Sequence, residues 1–347
     1  MATSFISTNS ISTALRMSSM KSQVALSKAT KEATTGRLAD VGLSLGALAG
    51  RNVVLRAELV DIDKLIDTNA LIGGHLDVAQ QRVSELIETA EAFQKDLLAA
   101  RNSADGGKII SQPGGVNLLG LTSTLNVTMD GQYLFGGINT DVAPMTEYAD
   151  GSANKTAIDA AFLAAFGFAQ DSPAVSSITA ADMKNFLDTT FKAEFDDPAW
   201  GVNWSSATDQ TMRSRISTTQ TIESSASAND IAFRKLAMAY TMLSGIGIEN
   251  MNQAAFQAVV DTAIVNVGNA VSDLAAVGAK LGTAQQQVTS ATSRMHVQSD
   301  IITQQVTAME EVDPMEADVR ITSLTNQIEK SQAITVRIQS LNILNYL

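Results

Sequence analysis

The residues of this chain that could carry chemistry do not form a catalytic or metal-binding pattern. His75 and His296 are the only histidines, and neither has a second potential ligand at helical or hairpin spacing. The chain has no cysteine, so it has no thiol nucleophile, zinc thiolate or disulfide. We therefore expect no metal site, no cofactor and no enzymatic activity.

Two further segments resemble ligand-binding loops but lack a glycine that such loops require. Asp61, Asp63 and Asp67 lack the glycine that a calcium-binding loop requires and lie in helical sequence, where they would be solvated. Residues 151–156 (GSANKT) lack the glycine that precedes the lysine of a phosphate-binding loop. Neither motif predicts a ligand.

Composition limits the partners of the chain. A net charge of −12 over 347 residues argues against nucleic acid, whose binding needs clustered Lys and Arg. No continuous apolar run approaches the roughly 18 residues of a membrane-spanning helix, which predicts no membrane insertion. The N-terminus lacks the apolar segment of a cleaved signal peptide.

Residues 1–31 are rich in Ser and Thr, contain no acidic residue and carry four basic ones. This composition is that of a transit peptide, of a basic solvated helix face or of an uncleaved export segment. Composition alone favours the solvated helix face.

The aromatic residues are distributed very unevenly. Eleven of the 17 lie between Tyr133 and Trp204, whereas none lies between Phe5 and Phe93 or between Phe256 and Tyr346. Both aromatic-poor ends have helical patterns too poor in large apolar residues to form a core alone. We therefore expect the two ends to pair, which makes the chain a hairpin of long helices with a compact inserted middle.

The first predicted helix, ending near Gly36, has two apolar sides. At 100° per residue, Ile11 and Leu15 lie on one face with a row of small residues, and Met17, Met20 and Val24 form a second stripe nearly opposite. A single partner helix covers only one face. The second stripe therefore predicts contact with a further body, unless it is scattered surface residues without a role.

The middle of the chain is divided by glycine and proline. Residues 37–50 indicate a loop or hinge, residues 51–101 a helix that Gly73-Gly74 kinks or splits, and Asp130-Gly131 a turn into a strand at 133–135. Residues 138–205 contain both tryptophans and several turn motifs. We interpret this segment as an inserted domain of mixed α/β or mainly β structure.

A last helix is predicted to begin after Asp313, which is placed as N-cap, with Pro314 first and Glu316 third in the helix, a capping box. Its final ten residues carry no charge and are apolar all round, so they must be buried on every side, by other subunits. The predicted assembly residues of this helix are Ile321, Leu324, Ile328, Ile338, Leu341, Ile343, Leu344 and Leu347.

Three segments resemble a known family. Thr35-Gly36-Arg37, after a helix of small residues, resembles the start of proteins of the flagellin superfamily. Residues 133–145 (YLFGGINTDVAPM) are similar to the strand and turn that leave the rod domain in hook-associated proteins of the hook-filament junction, and residues 341–347 (LNILNYL) resemble their terminus. The resemblance covers residues 1–145 and 210–347. The Asp-Asp-Pro element often found in the family is replaced at residues 40–46, and residues 138–205 match no known pattern.

The resemblance implies a mainly α, elongated fold in three parts: terminal helices (1–45 and 290–347) paired as an inner-tube coiled coil, a helical rod domain (46–137 and 206–289) and the inserted outer domain (138–205). It implies a structural adaptor of the extracellular bacterial flagellum. Identical subunits would form a ring between a hook-side hook-associated protein and the flagellin filament. Export would use the flagellar type III channel and an export chaperone, without signal cleavage.

Two other functions fit the sequence. The nearer alternative is a filament flagellin, which polymerises alone. The more distant one is a secreted carbohydrate-binding or carbohydrate-active protein with its site in residues 138–205, where Trp200 and Trp204 could stack against sugars. As core residues of a small domain, however, these rings would be inaccessible.

Overall fold

The computed structural model describes residues 8–344, with side chains from residue 10 to residue 338, and the fold of this part is mainly α. Three of the described helices exceed 30 residues. This confirms the predicted class of long-helix protein. The α-helices of the described residues are α1 Thr8–Thr35, α2 Val41–Leu45, α3 Ala49–Ala100, α4 Gly106–Leu125, α5 Ala153–Phe166, α6 Ala180–Phe186, α7 Ile231–Ser244, α8 Gln253–Glu310 and α9 Pro314–Leu344.

In the described part of the chain four short strands form two antiparallel hairpins: β1 Thr128–Met129 with β2 Gln132–Tyr133, and β3 Arg213–Arg215 with β4 Thr221–Glu223. In the first hairpin Asp130 and Gly131 both have positive φ, 52° and 79°. Two positive φ angles are what a tight two-residue hairpin turn requires, so the predicted turn is confirmed.

The strand expected at residues 133–135 ends at Tyr133. Leu134 and Phe135 continue into the core, where Phe135 meets Phe233 edge to face at 5.7 Å between ring centroids. Burial of these two side chains produces the apolar pattern that had indicated a longer strand.

The chain divides into two compact units, and the division falls within α3 and within α8. The first unit comprises the described residues up to Lys64 and from His296 onward, and the second comprises Leu65–Met295. The predicted division into three domains, with boundaries at residues 45, 137, 205 and 290, remains a prediction.

In the first unit α1 packs along α9. The face of α1 in this pair is made of small or short side chains, among them the buried Ser22 and Ala29, so the two helix backbones approach closely. Gly36 adopts φ +65° just after α1, and its N–H donates to the carbonyl of Glu32 at 2.9 Å. Glycine tolerates this left-handed conformation and ends the helix there.

In the second unit one continuous core joins residues of α3, α4, α7 and α8 to residues of the 138–205 segment. Trp200 donates its Nε1–H to Asn229 at 3.0 Å, and Arg234 lies over the Trp200 ring at 5.5 Å. Asp230 is the N-cap of α7, because its carboxylate accepts from the N–H of Ala232 at 3.1 Å.

The mixed α/β or mainly β structure expected for residues 138–205 is wrong. The segment contains α5, α6, a 3₁₀ turn at Pro173–Ser177 and π-helical turns at Leu187–Phe191 and Trp200–Trp204, and it has no strand. Its turn motifs join short helices instead of strands. The large rings contact one another in sequence, which lets short helices bury a core without a sheet.

The kink or split expected at Gly73-Gly74 does not interrupt α3, which runs unbroken through both glycines. In the same way α4 continues through Pro113 and the two glycines after it. A Cβ on Gly114 would stand 3.0 Å from Leu243 of α7, so glycine permits the close packing of α4 on α7. Tertiary packing here overrides the low helix propensity of these residues.

Of the described helices, α8 is long and apolar enough, by length and composition alone, to cross a membrane. The sequence contains no continuous apolar run of that length, but few charges interrupt the weakly apolar stretch. In the second unit α8 buries Val267, Ala270 and Leu274 in the core. A core helix of a soluble protein passes the same test, so this single helix is weak evidence for a membrane.

Candidate assembly site

The first helix presents two different faces. Leu15 is half-buried on the face toward α9, together with Ala25 and Leu26, while Ile11 is exposed at the beginning of the face. On the opposite side Met17, Met20 and Val24 are 56%, 66% and 60% exposed. The structure therefore places the two sequence-predicted stripes on opposite sides of α1, and the second stripe lacks a partner among the described residues.

The helix α9 is arranged similarly. Ile321, Leu324, Ile328 and Ile338 recur as half-buried residues along the face toward α1. Leu347 lies outside the described residues, and the side chains of Leu341, Ile343 and Leu344 lie outside the described ones as well. The predicted all-apolar tip thus stays a prediction.

A shallow groove on α1 contains two residues of the second stripe. Met20, Val24 and Ala25 line it together with Lys21 and Lys28. An apolar strip bordered by cations suits an amphipathic helix with acidic margins, because such a helix buries apolar area and pairs charge at the same time.

In the first unit the helices are interrupted after α1 and again between α8 and α9. Main-chain hydrogen bonds join these two interruptions. The N–H of Val312 donates to the carbonyl of Gly36 at 3.0 Å, and the N–H of Leu38 donates to the carbonyl of Glu310 at 2.8 Å. These two bonds flank an isolated antiparallel bridge between Arg37 and Glu311. The end of α1 is thereby fixed to the end of α8.

The carboxylate of Glu310 stabilises this joint from inside. Its side chain is 2% exposed and accepts from Asn52 at 2.8 Å and from Arg56 at 2.6–2.9 Å. Burial by itself would raise the pKa of Glu310. The hydrogen bonds from Arg56 and Asn52 and the charges of Arg56 and Arg37 outweigh burial and hold the pKa below its ordinary value.

A second buried carboxylate, that of Glu32, joins α1 to α9. It accepts from Arg320 at 3.0 Å and from the N–H of Ala39 at 3.2 Å. Arg320 donates a further bond to Glu316 at 2.9 Å. We call Glu32, Glu310, Arg56 and Arg320 the helix-break clamp, because together they tie the two interruptions of the helices to each other.

Asp313 begins α9 as the N-cap, with its carboxylate accepting from the N–H of Met315 at 2.8 Å, and Pro314 is the first helical residue. Glu316 directs its carboxylate to Arg320, so the reciprocal half of the expected capping box is replaced by an ion pair. The predicted boundary of the helix is nevertheless correct.

The clamp residues were not among the residues identified from the sequence. Glu32 and Glu310 lie in helical sequence where a charged residue is ordinarily solvated, and each pairs with an arginine more than 250 residues away. The only available indication was that Glu32 lies four residues before the predicted end of the first helix at Gly36, and Glu310 three residues before the predicted N-cap Asp313.

In the second unit an open groove of about 870 Å³ lies between the second hairpin and α8, and no histidine lines it. Arg234 at its edge is already paired with Asp197 at 3.0 Å. No group of three His, Asp or Glu side chains in the described part of the chain could hold a metal ion.

Both terminal regions of the chain match models of known protein families. The model for the bacterial flagellin N-terminal helical region matches residues 6–140, and the model for the bacterial flagellin C-terminal helical region matches residues 264–347. Together they match more than half of the chain. The unmatched middle, residues 141–263, includes all but the first three residues of the 138–205 segment.

Among solved structures, the chain is similar to one titled as a "putative flagellar hook-associated protein" from Vibrio parahaemolyticus. The TM-score is 0.52 at 10% identity, over 75% of this chain and 96% of that chain. At this identity the likeness shows the fold alone. No curated protein matches the sequence significantly.

Proposed function

This chain belongs to the flagellin family, whose members are structural components of the extracellular flagellum, and we propose that it is the adaptor between the hook-side hook-associated protein and the flagellin filament. The observation that carries the proposal is the α1–α9 pair. Each helix buries one face in the pair, and α1 leaves a second apolar stripe open to other subunits. A chain built in this way functions by packing, without catalysis.

The choice of the junction over the filament rests on residues 133–145 and 341–347, which resemble junction proteins. In this role identical subunits form a ring whose two rims contact different proteins. The acid-free residues 1–31 support export through the flagellar type III channel, assisted by an export chaperone and without cleavage.

A filament flagellin is the second candidate, because both matching family models describe flagellin itself. A carbohydrate-binding role for Trp200 and Trp204 has no support in the structure, since both are 0% exposed. Neither ring face is available to a sugar.

Immunogold labelling of isolated flagella tests the proposal. We expect label in a narrow band at the hook-filament boundary, and cells lacking the protein should export flagellin without retaining filaments. Label along the filament would establish the flagellin role instead. Absence of label from flagella would refute both.

A further inference from the structure

Beyond its apolar stripe, α1 carries a charge pattern that specifies what covers it. Lys21 and Lys28 border Met20 and Val24 in the shallow groove, and Lys28 also reaches Asp40 at 3.6 Å on the surface. We call Met17, Met20, Val24, Lys21 and Lys28 the basic stripe. Its occupant must bring apolar side chains and negative charge.

The matching surface lies on α9 of the same protein. Met315 and Val319 are 75% and 69% exposed. At 100° per residue they lie opposite the half-buried row that faces α1. Glu316 and Asp318 stand on either side of them. Glu316 is paired with Arg320 at 2.9 Å, whereas Asp318 has no ion pair among the described side chains. We call these four residues the acidic patch.

Within one chain the two surfaces cannot meet. Each lies on the side of its helix that points away from the other helix of the pair, so contact between them requires two copies. We propose that the basic stripe of one subunit binds the acidic patch of the next. This rests on the proposed function and names the partner surface of its assembly site.

The contact is heterologous, because two different surfaces meet. Such contacts build closed rings or open helical arrays, whereas two-fold dimers need one self-complementary surface. The proposal therefore explains how a chain with two unequal exposed faces continues to add subunits.

The basic stripe and the acidic patch lie at different heights along the helix pair. Since α1 and α9 are antiparallel and Glu32 contacts Arg320, Met20 lies level with about residue 332 of its own chain. Val319 is about 13 residues from that level, which corresponds to roughly 20 Å at 1.5 Å per residue. Neighbouring subunits are therefore displaced axially by about 20 Å and form a staircase.

Disulfide cross-linking of the full chain in isolated flagella tests this arrangement, and the natural absence of cysteine makes the background clean. The test variant carries Met20→Cys with Val319→Cys. The matched control carries Met20→Cys with Ala333→Cys, since exposed Ala333 lies on the same side of α9 but level with Met20. A disulfide needs Cα atoms within about 7 Å.

We expect a ladder of cross-linked multimers from the 20/319 pair and at most a trace from the 20/333 pair. A ladder from 20/333 alone, or no ladder from a 20/319 variant that is present in flagella, overturns the proposal. Either result leaves the proposed function standing, because that depends on where the protein is found by immunogold.

A charge exchange keeps the proposal testable if the cysteine variants are not incorporated. Lys21→Glu should lower incorporation roughly two- to fivefold at low salt, as for an exposed ion pair. Adding Asp318→Lys should restore it, with Gln23→Glu, which lies off the stripe, as the unaffected control. Failure of the second charge change to rescue the first overturns the pairing.

Discussion

The helix pair of the first unit and the core of the second bury their apolar residues to very different degrees. Trp200, Trp204 and Phe162 are 0% exposed, whereas the pair of α1 and α9 is built mainly of half-buried residues. A long helix with one partner keeps its other face in solvent. The second unit thus buries its apolar residues in a core of its own, while the first leaves an apolar face exposed.

The largest effect on the isolated chain should come from Trp200→Ala. The substitution removes a fully buried ring, its bond to Asn229 and its contact with Arg234. Burial losses of this kind cost about 3–5 kcal/mol, measured as unfolding of the second unit by denaturant and circular dichroism. The control Val202→Ala, at a highly exposed position in the same turn, should change little. Equal effects would remove the contrast between the two regions.

Glu310→Ala should have an intermediate effect, confined to the first unit. It leaves Asn52 and Arg56 without their acceptor, and because Arg56 is half-exposed we expect about 1–3 kcal/mol. Hydrogen exchange should quicken in α1 and α9 and stay unchanged in the second unit. Glu311→Ala, next to it but exposed, is the control. Loosening of both units together would show that the clamp is not local.

Acid should reproduce part of this effect. Because the pKa of Glu310 is lowered in the folded chain, its contribution to stability is fully present above the ordinary value of 4.5 and is lost as the pH falls through the lowered pKa. Exchange protection in the first unit should therefore decline with acid more steeply in the natural chain than in Glu310→Gln. Parallel pH profiles in the two proteins would contradict this assignment.

The smallest effect on the isolated chain, and the largest on assembly, should come from Met20→Asp. Met20 is exposed, so the change should alter unfolding by less than about 0.5 kcal/mol. An unpaired charge in the subunit contact costs several kcal/mol and should prevent incorporation into flagella. Leu15→Asp should also prevent it, but by weakening the α1–α9 pair, which circular dichroism of the free chain would reveal. Normal swimming with Met20→Asp would mean that the stripe has no role.

The sequence was sufficient for features set by local chemistry. The 3.6-residue period placed both stripes of α1, the cap at Asp313 identified a helix start, and Asp130-Gly131 identified a turn. Each depends on residues a few positions apart, whose conformational preferences act wherever the chain lies. For the same reason the members of both stripes of α1 could be identified from the sequence.

Tertiary structure decided what depends on distant residues. Gly73-Gly74 and Pro113 remain in continuous helices because packing offsets their low helix propensity. The 138–205 segment is helical because its aromatic rings pack against one another. The clamp could not be foreseen, since Glu310 pairs with Arg56 across 254 positions. Buried charge is stable only with its partner in place, and only the folded chain brings that partner near.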